Sequence, residues 1–354
     1  MAKSLDYRPS SPSMKGRVSG EARSVAGDVA GRARIRSTGG SGPAGKETGM
    51  EQRKLGKTGL QVSVLGFGCG NVGGLMVRGT PEEQRAAVSR AIEAGVTYFD
   101  TAAMYGNGLS EQNLGRTLTE LGAWGRVRVG TKVRLAAEDL RDPAKAVRDS
   151  LVASLRRLSR DSVDLLQLHN PLRTASDGQG GVGREHLAAA ADGLQAAVRE
   201  GLCGHAGFTG LGDTEAVAAA AAGGRFETMQ AYFNAINPSA GYAGRSGGAQ
   251  DLGGVIDVAA GQGLGVIAIR VMAGGAMTGE ERRARLASPS AGPALVQGNA
   301  YEVDVSRAVW RQALARELEL DSALELSFRF VIAKTAVSTA LIGFSDIDQL
   351  EQAL

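Results

Sequence analysis

Eight short apolar runs recur between residues 62 and 342 and alternate with amphipathic stretches. Each run is too short for an ordinary helix and is rich in β-branched or other strongly apolar residues, which is typical of strands buried on both faces. The runs are Val62–Phe67, Val96–Phe99, Val127–Val129, Val163–Leu168, Leu202–Phe208, Met229–Phe233, Gly265–Ile269 and Val337–Ile342. Strands that alternate with helices predict βα units and a parallel sheet. Eight such units favour an α/β fold of the (β/α)8 TIM barrel type, and a doubly wound sheet is the alternative.

Helical patterns fill the intervals between these runs. Pro81–Glu93 has the clearest start signal, because Thr80 is placed as N-cap and Glu83 completes a capping box. A second helix is predicted by Val147, Leu151, Leu155 and Leu158, which share one helix face. The further predicted helices are Glu185–Glu200, Thr214–Ala222, Leu252–Gly261, Val305–Leu318 and Ser322–Ala333. In front of the first run, Gln52–Leu55 and Leu60–Val64 flank a Gly-Lys-Thr-Gly turn, which predicts a β-hairpin.

The first 49 residues differ from the rest of the chain in composition and charge. They hold nine basic and four acidic residues, a net charge of +5, so residues 50–354 carry −2 of the overall +3. Because this segment is Gly/Ser-rich and has no helical or strand period, we expect a disordered basic tail. A protein whose true first residue is Met50 would explain why this segment differs from the rest. The barrel is then predicted over residues 50–354, and its near-neutral charge gives no basis for binding nucleic acid.

Cysteine and histidine usage excludes several classes of protein. Cys69 and Cys203 cannot build a disulfide framework, which favours a reduced, cytoplasmic setting. No apolar run approaches the ~20 residues of a membrane span. The three histidines show no zinc-ligand spacing and no H-E-x-x-H or G-x-S-x-G motif occurs, so neither a metal site nor an acyl-transfer hydrolase is expected. The oligomeric state stays open.

A glycine-rich fingerprint, VSVLGFGCGNVGG, spans residues 62–74. Its G-x-G-x-x-G string runs from Gly68 to Gly73, and Glu93 follows about 20 residues on, as in a dinucleotide-binding βαβ unit. In such a unit the helix opens directly after the glycines. Here the clear helix signal begins only at Thr80, and Glu93 falls inside the predicted helix. The string therefore favours a glycine-rich barrel loop that approaches a ligand over a Rossmann unit.

Polar residues stand at the ends of successive predicted strands. Asp100 ends the second strand and Tyr105 follows in the next loop, while Lys132 ends the third and His169 follows the fourth. Each residue alone has an ordinary structural explanation, such as a loop cap or a satisfied core histidine. In a barrel, however, these strand ends meet at one rim, where barrel enzymes carry their chemistry. The sequence therefore predicts one site that contains all four.

The four side chains form an acid–base unit. A phenol has a pKa of about 10, and a neighbouring ammonium group lowers it by favouring the phenolate. A carboxylate holds that ammonium group charged, and a histidine can orient a substrate oxygen. This set suits proton transfer coupled to hydride transfer at a carbonyl. The hydride must come from a cofactor, since no side chain supplies one.

The chain closely resembles the aldo-keto reductases, with an aldose dehydrogenase-like branch as one possibility. The resemblance runs from about Leu55 to the last residue and rests on GVTYFDTAAMYGNGLSEQNLG, VGTKV, VDLLQLHNP and GVIAIRVMAGGAMTG in this order. It implies a barrel closed at its base by the hairpin, a bound NADP(H) or NAD(H), and interconversion of an aldehyde, ketone or aldose with its alcohol or lactone. Tyr105 matches the general acid/base, Lys132 and Asp100 the pair that tunes it, and His169 the residue that orients the carbonyl.

The resemblance also implies a set of cofactor contacts. Thr209 and Gln230 stand where the family holds the nicotinamide amide, Arg270 where it stacks or contacts phosphate, and 271–275 where it binds pyrophosphate. The full set is Gly68, Cys69, Asp100, Thr209, Gln230, Arg270, Val271, Met272, Gly274, Gly343, Phe344, Ser345 and Gln349. Residues 343–354 contain no basic residue to read the 2′-phosphate of NADP, so both NADP(H) and NAD(H) stay open.

Two further expectations concern the loops and a rival function. Ala235–Ala249 and Ala273–Asp304 are longer than ordinary barrel loops, which is typical of lids or binding loops; for the first of them a tolerated surface insertion is an equal alternative. Some aldo-keto reductases are nicotinamide-binding sensors or channel auxiliary subunits. A protein of that kind with little turnover is the alternative function.

Overall fold

The computed structural model describes residues 49–354 apart from 177, 179, 280, 281, 293, 294 and 299. The predicted tail lies outside the described residues except for Gly49, so its disorder and the start at Met50 stay predictions.

The described chain begins with the predicted β-hairpin. Strands β1 (Gln52–Lys54) and β2 (Gln61–Ser63) pair antiparallel across a 3-10 turn at Gly56–Thr58. The turn lies against the base of the barrel, where a Cβ on Gly265 would come within 2.7 Å of Leu55, so only glycine permits this approach. The run predicted as one strand, Val62–Phe67, is divided, because the chain leaves the hairpin and enters the barrel at Val64.

Eight parallel strands of the described chain close into a barrel. In chain order the strands after the hairpin are β3 (Leu65–Gly68), β4 (Tyr98–Asp100), β5 (Arg128–Val133), β6 (Val163–Leu168), β7 (Leu172–Arg173), β8 (Val182–Gly183), β9 (Cys203–Gly210), β10 (Thr228–Tyr232), β11 (Gly265–Ile269) and β12 (Val337–Gly343). The short β7 and β8 pair with each other outside the barrel. Around the barrel the order is β3-β4-β5-β6-β9-β10-β11-β12, and β12 returns to β3 with Ala340 opposite Leu65. This closure confirms the (β/α)8 barrel and rules out the doubly wound sheet.

Helices cover the outside of the barrel, and all seven predicted helices are among them. They are α1 (Leu75–Arg78), α2 (Pro81–Glu93), α3 (Leu109–Glu120), α4 (Pro143–Leu158), α5 (Arg184–Arg199), α6 (Thr214–Ala222), α7 (Val255–Gly261), α8 (Tyr301–Glu317), α9 (Ala323–Ala333) and α10 (Ile347–Ala353). The capping box of α2 is present: the Glu83 N–H donates to Thr80 Oγ1 at 3.2 Å, and the Thr80 N–H donates to Glu83 Oε2 at 2.8 Å.

Several helix predictions were incomplete. Helices α1, α3 and α10 were missed, α7 starts three residues later than predicted, and α8 starts four residues earlier. The first two missed helices begin after Gly74 and Gly108, which adopt left-handed backbone angles and offer no capping side chain. Helix α1 also means that a four-residue helix does follow the glycine fingerprint closely. It is one turn long and precedes the main helix α2.

Candidate active site

The four predicted side chains meet at the carboxyl ends of the barrel strands. Lys132, on β5, donates an ion-paired hydrogen bond to Asp100 Oδ1 at the end of β4. Lys132 Nζ lies 3.3 Å from the Tyr105 hydroxyl and donates to the Thr101 carbonyl at 2.8 Å. The rings of Tyr105 and His169 lie edge to face with their centroids 6.2 Å apart. The barrel register therefore brings together groups that lie up to 69 residues apart in the sequence.

Asp100 is surrounded by hydrogen-bond donors. Its Oδ2 accepts from the Tyr98 hydroxyl at 2.9 Å, from Gln230 Nε2 at 2.8 Å and from Gln167 Nε2 at 3.2 Å. Asp100 and Lys132 are each only about 2% exposed or less. A buried ion pair is stable only when its remaining lone pairs are satisfied, and these three donors meet that requirement. They keep Asp100 fixed as the partner of Lys132.

Burial sets the protonation state of Tyr105. Burial raises the pKa of Tyr105 above its ordinary value, the positive charge of Lys132 acts against that rise, and Asp100 adds to it. Lys132 lowers the phenol pKa as expected, but burial outweighs this effect, so the net shift of the pKa is upward. The phenol of this structure is a protonated donor at neutral pH. Burial on its own would lower the pKa of Lys132, but Asp100 and Tyr105 raise it above the ordinary value, so the ammonium group is charged.

His169 is neutral and has one defined hydrogen bond. Burial, reinforced by the positive charges of Lys132 and Arg134, lowers its pKa from 6.5 to about 3. Its Nδ1 lies 2.8 Å from Thr209 Oγ1, while Thr209 Oγ1 lies 3.4 Å from Gln230 Oε1. The Thr209 hydroxyl has one proton, and the shorter contact favours its donation to Nδ1 over its 3.4 Å hydrogen bond to Gln230 Oε1. Nε2 then carries the ring proton, and the imidazole can donate a hydrogen bond to a substrate oxygen.

The glycine fingerprint is attached to the loop that carries Tyr105. The Gly106 N–H donates to Asn71 Oδ1 at 3.1 Å, and Ser110 Oγ donates to the Cys69 carbonyl at 2.8 Å. A Cβ on Gly70 would lie 3.6 Å from the Tyr105 ring, so the fingerprint backbone packs against the phenol. The string therefore packs against the loop that carries Tyr105, and no Rossmann unit is present in the described chain.

A second ion pair, between Glu111 and Arg157, stabilises the helix that follows the Tyr105 loop. Glu111 at the start of α3 is fully buried; its carboxylate accepts from Thr131 Oγ1 at 2.5 Å and from Arg157 Nε at 2.6 Å. Thr131 precedes Lys132 on β5. The Glu111 carboxylate thus connects the helix after Tyr105 to α4 through Arg157 and, through Thr131, to the strand that carries the ammonium group.

A large cavity opens above the four side chains. It has a volume of about 1730 Å³ and extends from Tyr105 and His169 along the strand ends to Ser345 and Gln349. All the predicted cofactor residues line it except Cys69 and Thr209. Cys69 is buried, and its N–H donates to the Asp100 carbonyl at 2.9 Å. Thr209 is buried against His169, and Gln230 lines the cavity while its amide nitrogen is bonded to Asp100.

The two long loops differ in their relation to this cavity. In the second loop, the Ser288 N–H donates to the Val72 carbonyl at 3.2 Å, and the Ala291 carbonyl accepts from Arg270 Nη2 at 3.0 Å. Residues 282–291 therefore cross the cavity from the fingerprint to the end of β11, as expected of a binding loop. The first loop behaves otherwise, since no residue of 235–249 lines the cavity.

Sequence reasoning missed several residues of the site. Tyr98 and Gln167 bond Asp100, Arg134 lines the cavity, and Glu111 anchors α3. A signal for three of them was present, because Tyr98, Gln167 and Arg134 each lie two positions from a predicted site residue. Side chains two apart on a strand point to the same face. For Glu111 the signal was its position beside Ser110 in GVTYFDTAAMYGNGLSEQNLG, a motif in which neither residue was given a role.

The described part of the chain offers no arrangement suited to a metal ion. No group of three or more His, Cys, Asp and Glu side chains within it could hold one. Among its helices, none is both long and apolar enough to cross a membrane. The described chain thus combines a (β/α)8 barrel with Tyr, Lys, Asp and His side chains at its carboxyl rim, beside a long cavity.

Comparison with known proteins identifies the family. A model described as "Aldo/keto reductase family" matches residues 64–354, so the chain belongs to the aldo/keto reductase family, an oxidoreductase family. A segment of 124 residues is 38% identical to L-galactose dehydrogenase of Arabidopsis thaliana and covers 35% of this chain and 39% of that protein. Another, of 127 residues, is 34% identical to a probable voltage-gated potassium channel subunit beta of the same plant, covering 34% of this chain and 38% of that protein. The matches thus span about two fifths of these relatives.

A solved structure supports the same fold. Aldo-keto reductase AKR11C1 from Bacillus halodurans, in its holo form, superposes with a TM-score of 0.62 at 22% identity. The match covers 86% of this chain and 89% of that chain. At this identity it shows the barrel fold alone. The resemblance to the aldo-keto reductases is confirmed by the family match.

Proposed function

We propose that the protein is an NAD(P)-dependent oxidoreductase that interconverts an aldehyde, ketone or aldose with its alcohol or lactone. The observation that carries the proposal is the placement of the Tyr105 hydroxyl 3.3 Å from Lys132 Nζ, which is itself paired with buried Asp100, at the floor of the cavity. A proton donor supported by a fixed positive charge suits a reaction in which an oxygen gains negative charge.

The residues that line the cavity fit a nicotinamide dinucleotide. The volume of about 1730 Å³ exceeds the roughly 300–1000 Å³ of a pocket for one drug-sized ligand, so it has room for an elongated cofactor and a small substrate. Gly274 has a left-handed φ of 70°, and a Cβ there would lie 2.7 Å from Arg270 Nη1, so backbone and guanidinium group are closely packed. Arginine side chains at 270, 282, 283 and 285 line the cavity, and their positive charge suits a pyrophosphate.

Selection between NADP(H) and NAD(H) would depend on the basic residues of the long loop Ala273–Asp304. Residues 343–354 contain no basic side chain, and Glu351 pairs with Arg90. Arg285 pairs with Glu83, and Arg283 donates to the carbonyls of Ser288 and Gly274. Fluorescence titration of the protein with NADPH and NADH distinguishes the two cofactors.

The chain's own residues would carry the proton and orient the substrate. Tyr105 donates its proton to the carbonyl oxygen during reduction and takes it back during oxidation. Lys132 stabilises the phenolate formed by that donation, and Asp100 keeps Lys132 charged and in place. His169, neutral and with its proton on Nε2, donates a hydrogen bond to the same oxygen. The bound cofactor supplies or accepts the hydride.

A multiple-turnover assay tests the proposal. The protein with NADPH or NADH is mixed with a panel of aldehydes and aldoses, and cofactor absorbance is followed over many turnovers. Continued turnover with at least one substrate class supports the enzyme. Tight cofactor binding with no more than one turnover across the panel would favour the second candidate, a nicotinamide-binding sensor or channel subunit. The observation that favours this second candidate is the segment that is similar to a channel subunit.

A further inference from the structure

A small cavity lies directly beside the candidate catalytic residues. It has a volume of about 240 Å³, and Lys132, His169 and Arg134 line it together with Met104. The last three also line the large cavity. Arg134 follows the end of β5, two residues after Lys132. It therefore stands where the small cavity meets the place at which the carbonyl group of a substrate would bind.

The guanidinium group of Arg134 has no partner in the described part of the chain. Its side chain is exposed, and it forms no hydrogen bond or ion pair with any residue that the structure describes. The charge of Lys132 is engaged by Asp100, and His169 is neutral. No acidic side chain of the described residues lines the small cavity. A ligand in this cavity would meet one unpaired guanidinium group and no carboxylate.

We propose that Arg134 binds a carboxylate on the substrate, so that the substrates are aldehydes or ketones that carry a carboxylate group. The planar guanidinium fork matches a carboxylate in two parallel hydrogen bonds. Met104, which is 41% exposed, offers an apolar surface for the carbon frame between the two groups. This inference rests on the proposed function, because it takes the carbonyl group to bind at Tyr105.

A matched pair of aldehydes tests the assignment. 4-Carboxybenzaldehyde and 4-nitrobenzaldehyde have the same shape, but only the first carries a charge. The ratio of their kcat/KM values is measured for the wild type, Arg134→Gln and Arg134→Lys. The control is Arg126→Gln, because Arg126 is an exposed arginine just before the opposite end of β5.

We expect the wild type to favour the carboxylate, and we expect Arg134→Gln to lower the ratio about tenfold, the effect of one charge-assisted hydrogen-bonding pair. Arg134→Lys should retain part of the preference, and Arg126→Gln should retain all of it. Raising the salt concentration should weaken the preference of the wild type, because the charge is exposed to solvent. The comparison between variants cancels the stronger activation of the carbonyl group by the nitro substituent, so an unchanged ratio in Arg134→Gln would overturn the assignment.

The same pair separates this inference from the proposed function. Turnover of 4-nitrobenzaldehyde with the same kcat/KM ratio in the wild type and in Arg134→Gln refutes the role of Arg134 and leaves the carbonyl chemistry intact. If neither aldehyde is turned over, the enzymatic proposal fails. Calorimetric binding of 4-carboxybenzaldehyde to the wild type and to Arg134→Gln then decides the role of Arg134, with equal affinities counting against it.

Discussion

The hydroxyl group of Thr209 offers a sharp test of how the site orients its substrate. Thr209 is fully buried on β9, and its Oγ1 lies 2.8 Å from His169 Nδ1. Thr209→Val removes this hydroxyl while keeping the branched shape of the side chain. Because a neutral imidazole has one ring proton, the loss of the donor at Nδ1 removes the bias that keeps the proton on Nε2.

The size of the effect follows from the burial of the ring. An unmade hydrogen bond at a buried group costs about 1–3 kcal/mol. Without Thr209, Nδ1 has no partner in either tautomer, so the imidazole loses that stabilisation for the ring orientation and tautomer that donate to the substrate. A loss of this size corresponds to a roughly 5- to 150-fold fall in kcat. Cofactor affinity should change little, because Thr209 does not line the cavity.

The assay combines kinetics with a measurement of which ring nitrogen of His169 carries the proton. Nitrogen-15 NMR of the wild type should show the proton of His169 on Nε2, and Thr209→Val should shift the population towards Nδ1. Thr209→Ser should restore the wild-type spectrum and rate. Thr228→Val is a matched control, since Thr228 Oγ1 is a buried hydroxyl with no hydrogen-bond partner among the described residues. A proton found on Nδ1 in the wild type, or an unchanged kcat in Thr209→Val, would refute the reasoning.

Two predictions concern stability. The pKa of His169 falls from 6.5 to about 3 on folding, so between these values the unfolded chain binds a proton that the folded chain does not, and stability is lost as the pH falls through that window. His169→Gln should therefore lose less stability than the wild type between pH 7 and pH 4, measured by urea unfolding, and equal losses would contradict the assigned pKa. Glu111→Gln should lower the free energy of unfolding by about 2 kcal/mol, less than the roughly 3–5 kcal/mol of a fully buried pair because Arg157 is 25% exposed. The control is Glu215→Gln, because the exposed carboxylate of Glu215 pairs with exposed Arg184. This substitution should change the free energy of unfolding by less than about 1 kcal/mol. Similar losses in both variants would count against the role of Glu111.

The sequence was informative about the barrel because its signals are local. Strands buried on both faces read as apolar runs, and the capping box at Thr80 marked the start of α2 without any knowledge of the fold. Helix α3 was missed because Gly108 opens it with no capping side chain, although Leu114 and Leu118 lie on its buried face. The division of the first strand at Val64 depends on where the hairpin meets the barrel. No local pattern contains that information.

The residues of the site could be predicted from the sequence, but the hydrogen bonds between them could not. The positions of Asp100, Tyr105, Lys132 and His169 at strand ends were enough to bring them together. The bond from Gln230 to Asp100 joins strands that are separated by 130 residues, and it depends on the barrel register. The net rise in the pKa of Tyr105 likewise depends on burial, which the order of residues does not reveal.

The most direct test of the central claim is the Tyr105→Phe variant. The substitution removes the proposed proton donor and keeps the ring that packs against Gly70. General acid–base groups typically contribute about 10²–10⁴ to the rate, so kcat should fall by roughly that factor for every active aldehyde, while fluorescence titration gives an unchanged cofactor affinity. Wild-type kcat in Tyr105→Phe on the same aldehydes would contradict the account.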